Sequence, residues 1–336
     1  MSDNHGVSAV IMSFRNPGRV VALANMVRDY VDEVIIVHTG PRSALEGLKM
    51  RVPFAKVLDL PDLGTIGLYL GVAISSAGND WILYLEDDYV PSIKLLSSLR
   101  ELVRNAESRL YRLNRINIRQ DGGVAIQRVI TLFDRRAVRP TGTLHEHFYT
   151  WERFLDLDQS FFIEHREDPL TFYSYLIKLW KYSVYSSLGV PYKLLMLRSP
   201  NPPAYNDVGD DLLRQRQMIY SLRICDPIRS NACLFLYELA YFIGSWLLSV
   251  LTILTKRQKP KDLVLSGLYY LFLISNAIRN LRFLAVSRAA YEKGSFINLF
   301  DLENLDNARK ALTGLQDLEG IKNYFTLLKR YLNKIK

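Results

Sequence analysis

One stretch constrains this chain more than any other. Trp81, Ile82, Leu83, Tyr84 and Leu85 form a short apolar run that leads straight into Glu86, Asp87 and Asp88. Five almost wholly apolar residues, large on both sides of the two-residue alternation, suit a strand covered on both faces, as in a sheet with parallel strands flanked by helices. Pro91 is expected to stop that strand, since it has no N–H to give to a ladder. Three adjacent carboxylates repel one another unless positive charge sits among them. A divalent cation with oxygen ligands, often carrying substrate phosphates, is the usual answer. Ligands of such sheets also gather beyond the carboxyl ends of the parallel strands, where this triplet would fall. Taken alone, the triplet reads more readily as a solvated acidic turn, and the rest of the chain shifts the balance.

The segments before it repeat a pattern. The spacing predicts a strand over 7–13 and a helix over 19–30, with Val20, Leu23, Ala24 and Val27 on one face. Buried strands over 34–37 and 54–58 follow, then a small-residue helix over 66–76. Strand and helix alternating with short connections argue for an α/β layer with parallel strands. After Pro91, a helix is expected over 92–110, a strand over 111–119, a turn at Gly122 and Gly123, and a strand over 129–133. Residues 135–142 read as a basic loop and 170–185 as an aromatic helix. The Pro- and Asn-rich loop over 199–210 divides the chain into a domain over 1–200 and a helical region over 201–336.

That second region is apolar. Residues 234–254 are long enough to cross a bilayer, interrupted only by Glu238, and the basic segment 256–261 would favour the cytosolic face. A second, shorter apolar run covers 263–277. These runs fit either a pair of helices buried on the first domain or membrane contact, spanning or in-plane. The net charge of +9 points to anionic partners such as nucleotides, lipid phosphates or a membrane surface. No nucleic-acid recognition motif is present, and that class is set aside. With only Cys225 and Cys233, and a polar segment over 1–6 in place of a signal sequence, the first half is expected to stay in the cytosol.

His145 and His147 lie two apart, so on a strand they share a face, and one of them suits a metal or a phosphate. No third ligand with zinc-like spacing accompanies them. Seven arginines, Arg112, Arg115, Arg119, Arg128, Arg135, Arg136 and Arg139, flank this half; any of them suits a phosphate or a solvated face.

In order along the chain stand Ser8 to Asn16, the acid pair Asp32 and Glu33 before a strand, the 81–88 segment, Gly122 and Gly123, Leu132 and Phe133, His145 and Glu146, then His165, Lys178 and Tyr182. Together they resemble the family 2 glycosyltransferases of the GT-A fold, and within them the lipopolysaccharide core branch and its archaeal relatives, over roughly residues 7–185. The resemblance implies a Rossmann-like nucleotide-sugar domain that moves a sugar, with inversion, from a nucleotide-diphosphate donor to a lipid-linked or cell-surface glycan. It implies a divalent metal, Mg²⁺ or Mn²⁺, held by Asp88, Glu86 and His145, and donor contacts from Ser13, Asn16, His38, Glu86 and Asp87. Glu146 is the implied base for the acceptor hydroxyl; the expected location, drawn from the apolar runs and the basic segment between them, is the cytoplasmic face of the cell membrane. His165 suits bracing as well as acting. Three departures from the family pattern stand out: His38 and Ser43 where carboxylates are usual, Glu86 where the first Asp of the D-x-D motif is usual, and Leu70 and Gly71 near the place where an Asn or Arg usually precedes the D-x-D strand. The departures leave room for a non-catalytic relative that binds a nucleotide sugar or scaffolds a glycan-assembly complex.

Overall fold

The computed structural model describes residues 6–13, 16–60, 66–118, 123–140, 148–150, 152–166 and 204–205, with isolated positions between 240 and 251. All but the last fall in a compact unit that includes Met1–Pro169 and Ala204–Gly209, while Asp210–Leu299 belongs to a second unit.

The first unit is a mixed α/β structure. Strands β1 (Val7–Ser13), β2 (Glu33–His38), β3 (Lys56–Asp59) and β4 (Trp81–Glu86) alternate with helices α1 (Pro17–Val27), α2 (Arg42–Arg51) and α3 (Ile66–Ser75). They lie parallel in the order β3-β2-β1-β4. Every residue of β1 is buried, because helices cover both faces. Ala9 and Ile11 pack with Val20, Leu23 and Val27 of α1; Val10 and Met12 pack on the other side with Leu70 and Ala73 of α3. The winding therefore reverses between β1 and β4. A crevice beyond the carboxyl ends of the strands at such a reversal is the general ligand position in open α/β sheets.

Beyond β4 the sheet turns antiparallel. Strand β5 (Tyr89–Pro91), helix α4 (Ile93–Arg104) and strands β6 (Leu110–Ile118), β7 (Val124–Asp134), β10 (Leu155–Asp156) and β11 (Phe162–Arg166) complete nine strands in the order β3-β2-β1-β4-β7-β6-β11-β5, with β10 on β6. Between β7 and β10 in sequence, β8 (Arg139–Pro140) and β9 (Phe148–Thr150) form a small second sheet with β12 (Ala204–Tyr205).

The order forces a curl. Glu86 ends β4 and Tyr89 begins β5, three residues on, a reach of at most about 11 Å at ~3.6 Å per residue. Four strand spacings of about 4.8 Å would set β5 roughly 19 Å away in a flat sheet. The run β4-β7-β6-β11-β5 must therefore bend back on itself, and its concave side opens at the acids.

Several expectations change in detail. Pro91 does not simply stop β4: Asp87 and Asp88 make a turn, and the chain resumes as β5 with Pro91 as its last residue, opposite Ile163. Since β5 is the terminal strand of the path, proline is tolerated there. Strand β7 is longer than 129–133, and residues 135–140 hold a 3₁₀ turn (Arg135–Ala137) and β8 instead of an open loop. The expected features at 141–147, 170–185, 199–203 and 263–277, and all but isolated positions of 234–254, lie outside the described residues. Among the described residues no helix is long and apolar enough to cross a membrane.

Candidate functional site

Tyr84 and Glu86 lie two apart on β4 and so share a face, and the Tyr84 hydroxyl donates to Glu86 Oε1 at 3.1 Å. Tyr89, on β5 just past the turn, donates to the same oxygen at 3.0 Å. Two phenols thus hold a carboxylate that carries one more methylene than the usual aspartate. Asp88 meets His165 of β11: Oδ2 lies 3.1 Å from Nε2. The other ring nitrogen, Nδ1, is 2.7 Å from Asn117 Oδ1, while the amide of Asn117 gives its N–H to Ala125 O at 3.4 Å. Both ring nitrogens therefore face acceptors, the arrangement that suits a ring with two N–H donors.

The electrostatics agree. Burial, the largest influence on His165, pushes its pKa down, but the hydrogen bond and charge of Asp88, with the charge of Glu86, outweigh burial and the opposing Arg115; the net shift is upward. Arg115 of β6 completes the cluster by donating to the Tyr89 hydroxyl at 2.8 Å. Two residues of β6, Arg115 and Asn117, thus each reach one of the acids Glu86 and Asp88 through one ring. The two rings, Tyr89 and His165, are register partners and meet edge to face with centroids 5.5 Å apart.

One atom stands out. Asp88 Oδ1 is buried and has no hydrogen-bond partner among the described residues. A buried carboxylate oxygen without a donor carries the full cost of its lost hydration. A divalent cation relieves that cost, and carboxylate oxygens such as those of Asp88 and Glu86 are ligands that suit Mg²⁺ or Mn²⁺. Among the described residues no three His, Cys, Asp or Glu side chains stand ready as a complete metal site.

The other expected site residues are placed as follows. Asp87 lies with Asp88 along a cleft of about 240 Å³ against α1, into which Arg19 and Arg166 also reach, with Leu23 and Met26 on its wall. Ser13 and His38, at the paired ends of β1 and β2, are both buried. His38 Nε2 donates to Pro41 O at 3.2 Å, and Nδ1 lies 3.3 Å from Ser13 Oγ, so both nitrogens are committed to the floor of the crevice. Asn16 caps α1, its side chain accepting from Arg19 N at 3.2 Å. Glu146, His145 and His147 lie outside the described residues.

Of the seven arginines, Arg112 pairs with Asp156, Arg128 reaches Leu157 O and Asp156, and Arg135 and Arg136 bind Asp80 at the opposite end of β4. Arg115 reaches Glu86 through the Tyr89 hydroxyl. Asp32 and Glu33, the acid pair in front of β2, are likewise structural, accepting from Val7 N at 2.8 Å and Ser8 Oγ at 2.6 Å.

No family model matches the chain, and no curated protein does. Among solved structures, S. aureus TarS 1–349 shares 11% identity over 86% of this chain and 92% of its own, with a TM-score of 0.41. The same protein with UDP-GlcNAc gives 12% and 0.41 over the same shares. A manganese complex of Rv0371C from Mycobacterium tuberculosis H37Rv gives 16%, covering 39% of this chain and 72% of its own, with a TM-score of 0.27. None of these likenesses is strong enough to carry a functional conclusion, which rests on the chain's own residues.

Proposed function

We propose that this protein is a metal-dependent, inverting glycosyltransferase of the family 2 type, using a nucleotide-diphosphate sugar and a lipid-linked or cell-surface glycan acceptor. The observation that carries the reading is the buried, partnerless Oδ1 of Asp88 at the carboxyl end of β4, beside the clamped Glu86 and at the reversal of strand order.

In this reading Asp88 and Glu86 hold the cation, with His165 adjacent. When bound, the cation supplies positive charge against the diphosphate leaving group. The chain's own residues do the rest. Tyr84 and Tyr89 keep Glu86 from swinging. Asn117 holds the His165 ring so that Nε2 stays on Asp88. Arg19 and Arg166 give the cleft beside Asp87 two guanidinium groups for phosphate oxygens. The resemblance assigns Glu146 the role of taking the acceptor proton. The apolar runs over 234–254 and 263–277, with the basic segment between them, support a place at the cytoplasmic face of the cell membrane and an acceptor held there.

A second reading, a non-catalytic nucleotide-sugar binder or scaffold, draws on His38. Where a carboxylate is usual for the base, the ring sits buried with both nitrogens engaged. A screen of nucleotide sugars with Mn²⁺, scored for released nucleoside diphosphate, separates the two. Turnover of one donor, abolished in Asp88→Ala and in Glu146→Gln with the fold intact, is the expected result. Binding of a donor with no turnover favours the second reading.

A further inference from the structure

We propose that Arg115 is a positioning residue for the acid motif, fixing the carboxylate of Glu86 through the hydroxyl of Tyr89; its purpose, though not its geometry, rests on the cation-dependent reading above. Arg115 lies on the concave face of β6. Nη1 donates to Tyr89 Oη at 2.8 Å, Nη2 donates to Gln127 Oε1, and the guanidinium carbon sits 6.0 Å from the Tyr89 ring centroid. Gln127 is the register partner of Arg115 on β7, so the guanidinium is held from two strands.

The direction of the bonds follows from the groups. A guanidinium only donates, so the Tyr89 oxygen accepts from Arg115, and its one hydrogen is left for Glu86 Oε1 at 3.0 Å. Without Arg115 the hydroxyl is at liberty to rotate and to find other partners. With it, Tyr89 is a fixed donor, and together with Tyr84 it pins one oxygen of Glu86. This answers a departure in the sequence. Glutamate has one more rotatable bond than the aspartate usual in the family motif, and the two-tyrosine clamp with its arginine anchor removes the freedom that bond would bring.

The proposal makes a prediction opposite in sign to plain electrostatics. Arg115 is a positive charge near a cation site, so on charge alone Arg115→Met should tighten cation binding. If Arg115 positions Glu86, the same substitution weakens it. The test is a Mn²⁺ titration of the full 336-residue chain, followed by the electron paramagnetic resonance of free Mn²⁺, at one pH and ionic strength. Arg115→Met and Tyr89→Phe are each expected to weaken Mn²⁺ binding about tenfold, and the double variant no more than the worse single one. Arg115→Lys keeps the charge but loses the fork, and is expected to weaken binding too. Arg115→Met binding Mn²⁺ as tightly as wild type, or more tightly, overturns the proposal.

A metal-free measurement separates this from failure of the functional reading. In thermal melts without metal, the losses from Tyr89→Phe and Arg115→Met are expected to be non-additive, because they break one chain of bonds. Additive losses remove the relay. A wild-type chain that binds no Mn²⁺, alone or with any nucleoside diphosphate, while the coupling persists sinks the cation-dependent reading and leaves the relay standing.

Discussion

At the scale of single residues, the candidate site is assembled from side chains that reach the acids from far along the chain. His165 is 77 positions from Asp88, and Arg115 is 26 from Tyr89. Loss of a group that orients a metal ligand costs about 10–100-fold in metal affinity. His165→Ala is therefore expected to raise the apparent Mn²⁺ dissociation constant by that factor, and Asn117→Ala to do so more mildly, both read from titrations on folded protein. The acids themselves were legible in the sequence because charge repulsion between neighbours needs no fold to be seen. Asn16, Ser13 and His38 were legible as residues but not as roles, since capping and burial depend on neighbours that only the folded chain supplies. Tyr89 and Asn117 were not singled out for the site, and Arg115 stood only as one of seven basic candidates. Their meeting depends on strand register and on the curl of the sheet, and no local spacing carries either.

At the scale of elements, the parallel half follows directly from periodicity. The apolar face of α1 and the five buried residues 81–85 of β4 fall where helical spacing and the apolar run put them. The antiparallel half was less legible, because β5 is three residues long and β11 five, too short to show a pattern. Helix α4 docks through Leu95, Leu96 and Leu99, all buried in the core cluster beneath β4. Leu99→Ala is expected to cost about 2–5 kcal/mol in chemical unfolding, through lost transfer energy and the cavity left behind. At the other end of β4, Asp134 of β7 gathers Arg109 and Arg136. Burial, the largest influence on Asp134, pushes its pKa up. The hydrogen bonds from Arg136 and Arg109 and the charge of Arg109 outweigh it, and the net shift is below the ordinary value of 3.8. A carboxylate with a depressed folded pKa contributes stability that is fully present above its unfolded value and is lost as pH falls through the folded one. Acid titration of stability should therefore show a loss below pH 3.8 that Asp134→Asn lacks in part. Identical acid limbs in the two proteins would remove this ion cluster from the account.

At the scale of the whole molecule, a net charge of +9 and the apolar runs beyond residue 233 set the expected behaviour with membranes. Charge attraction is screened as the Debye length falls from about 10 Å at 0.1 M salt to about 3 Å at 1 M. Full-length protein is expected to sediment with anionic vesicles and to stay with them in high salt, because the apolar segments hold what charge first attracts; complete release by salt would leave only surface attraction. The central claim lies at the mouth of the curled sheet, and it is tested most directly by calorimetric titration of wild type and Asp88→Asn with a panel of nucleoside diphosphates, with and without Mn²⁺. The account predicts that one diphosphate binds wild type only when Mn²⁺ is present, and that Asp88→Asn, equally folded, binds none. Equal binding by the variant, or binding that ignores Mn²⁺, would contradict it.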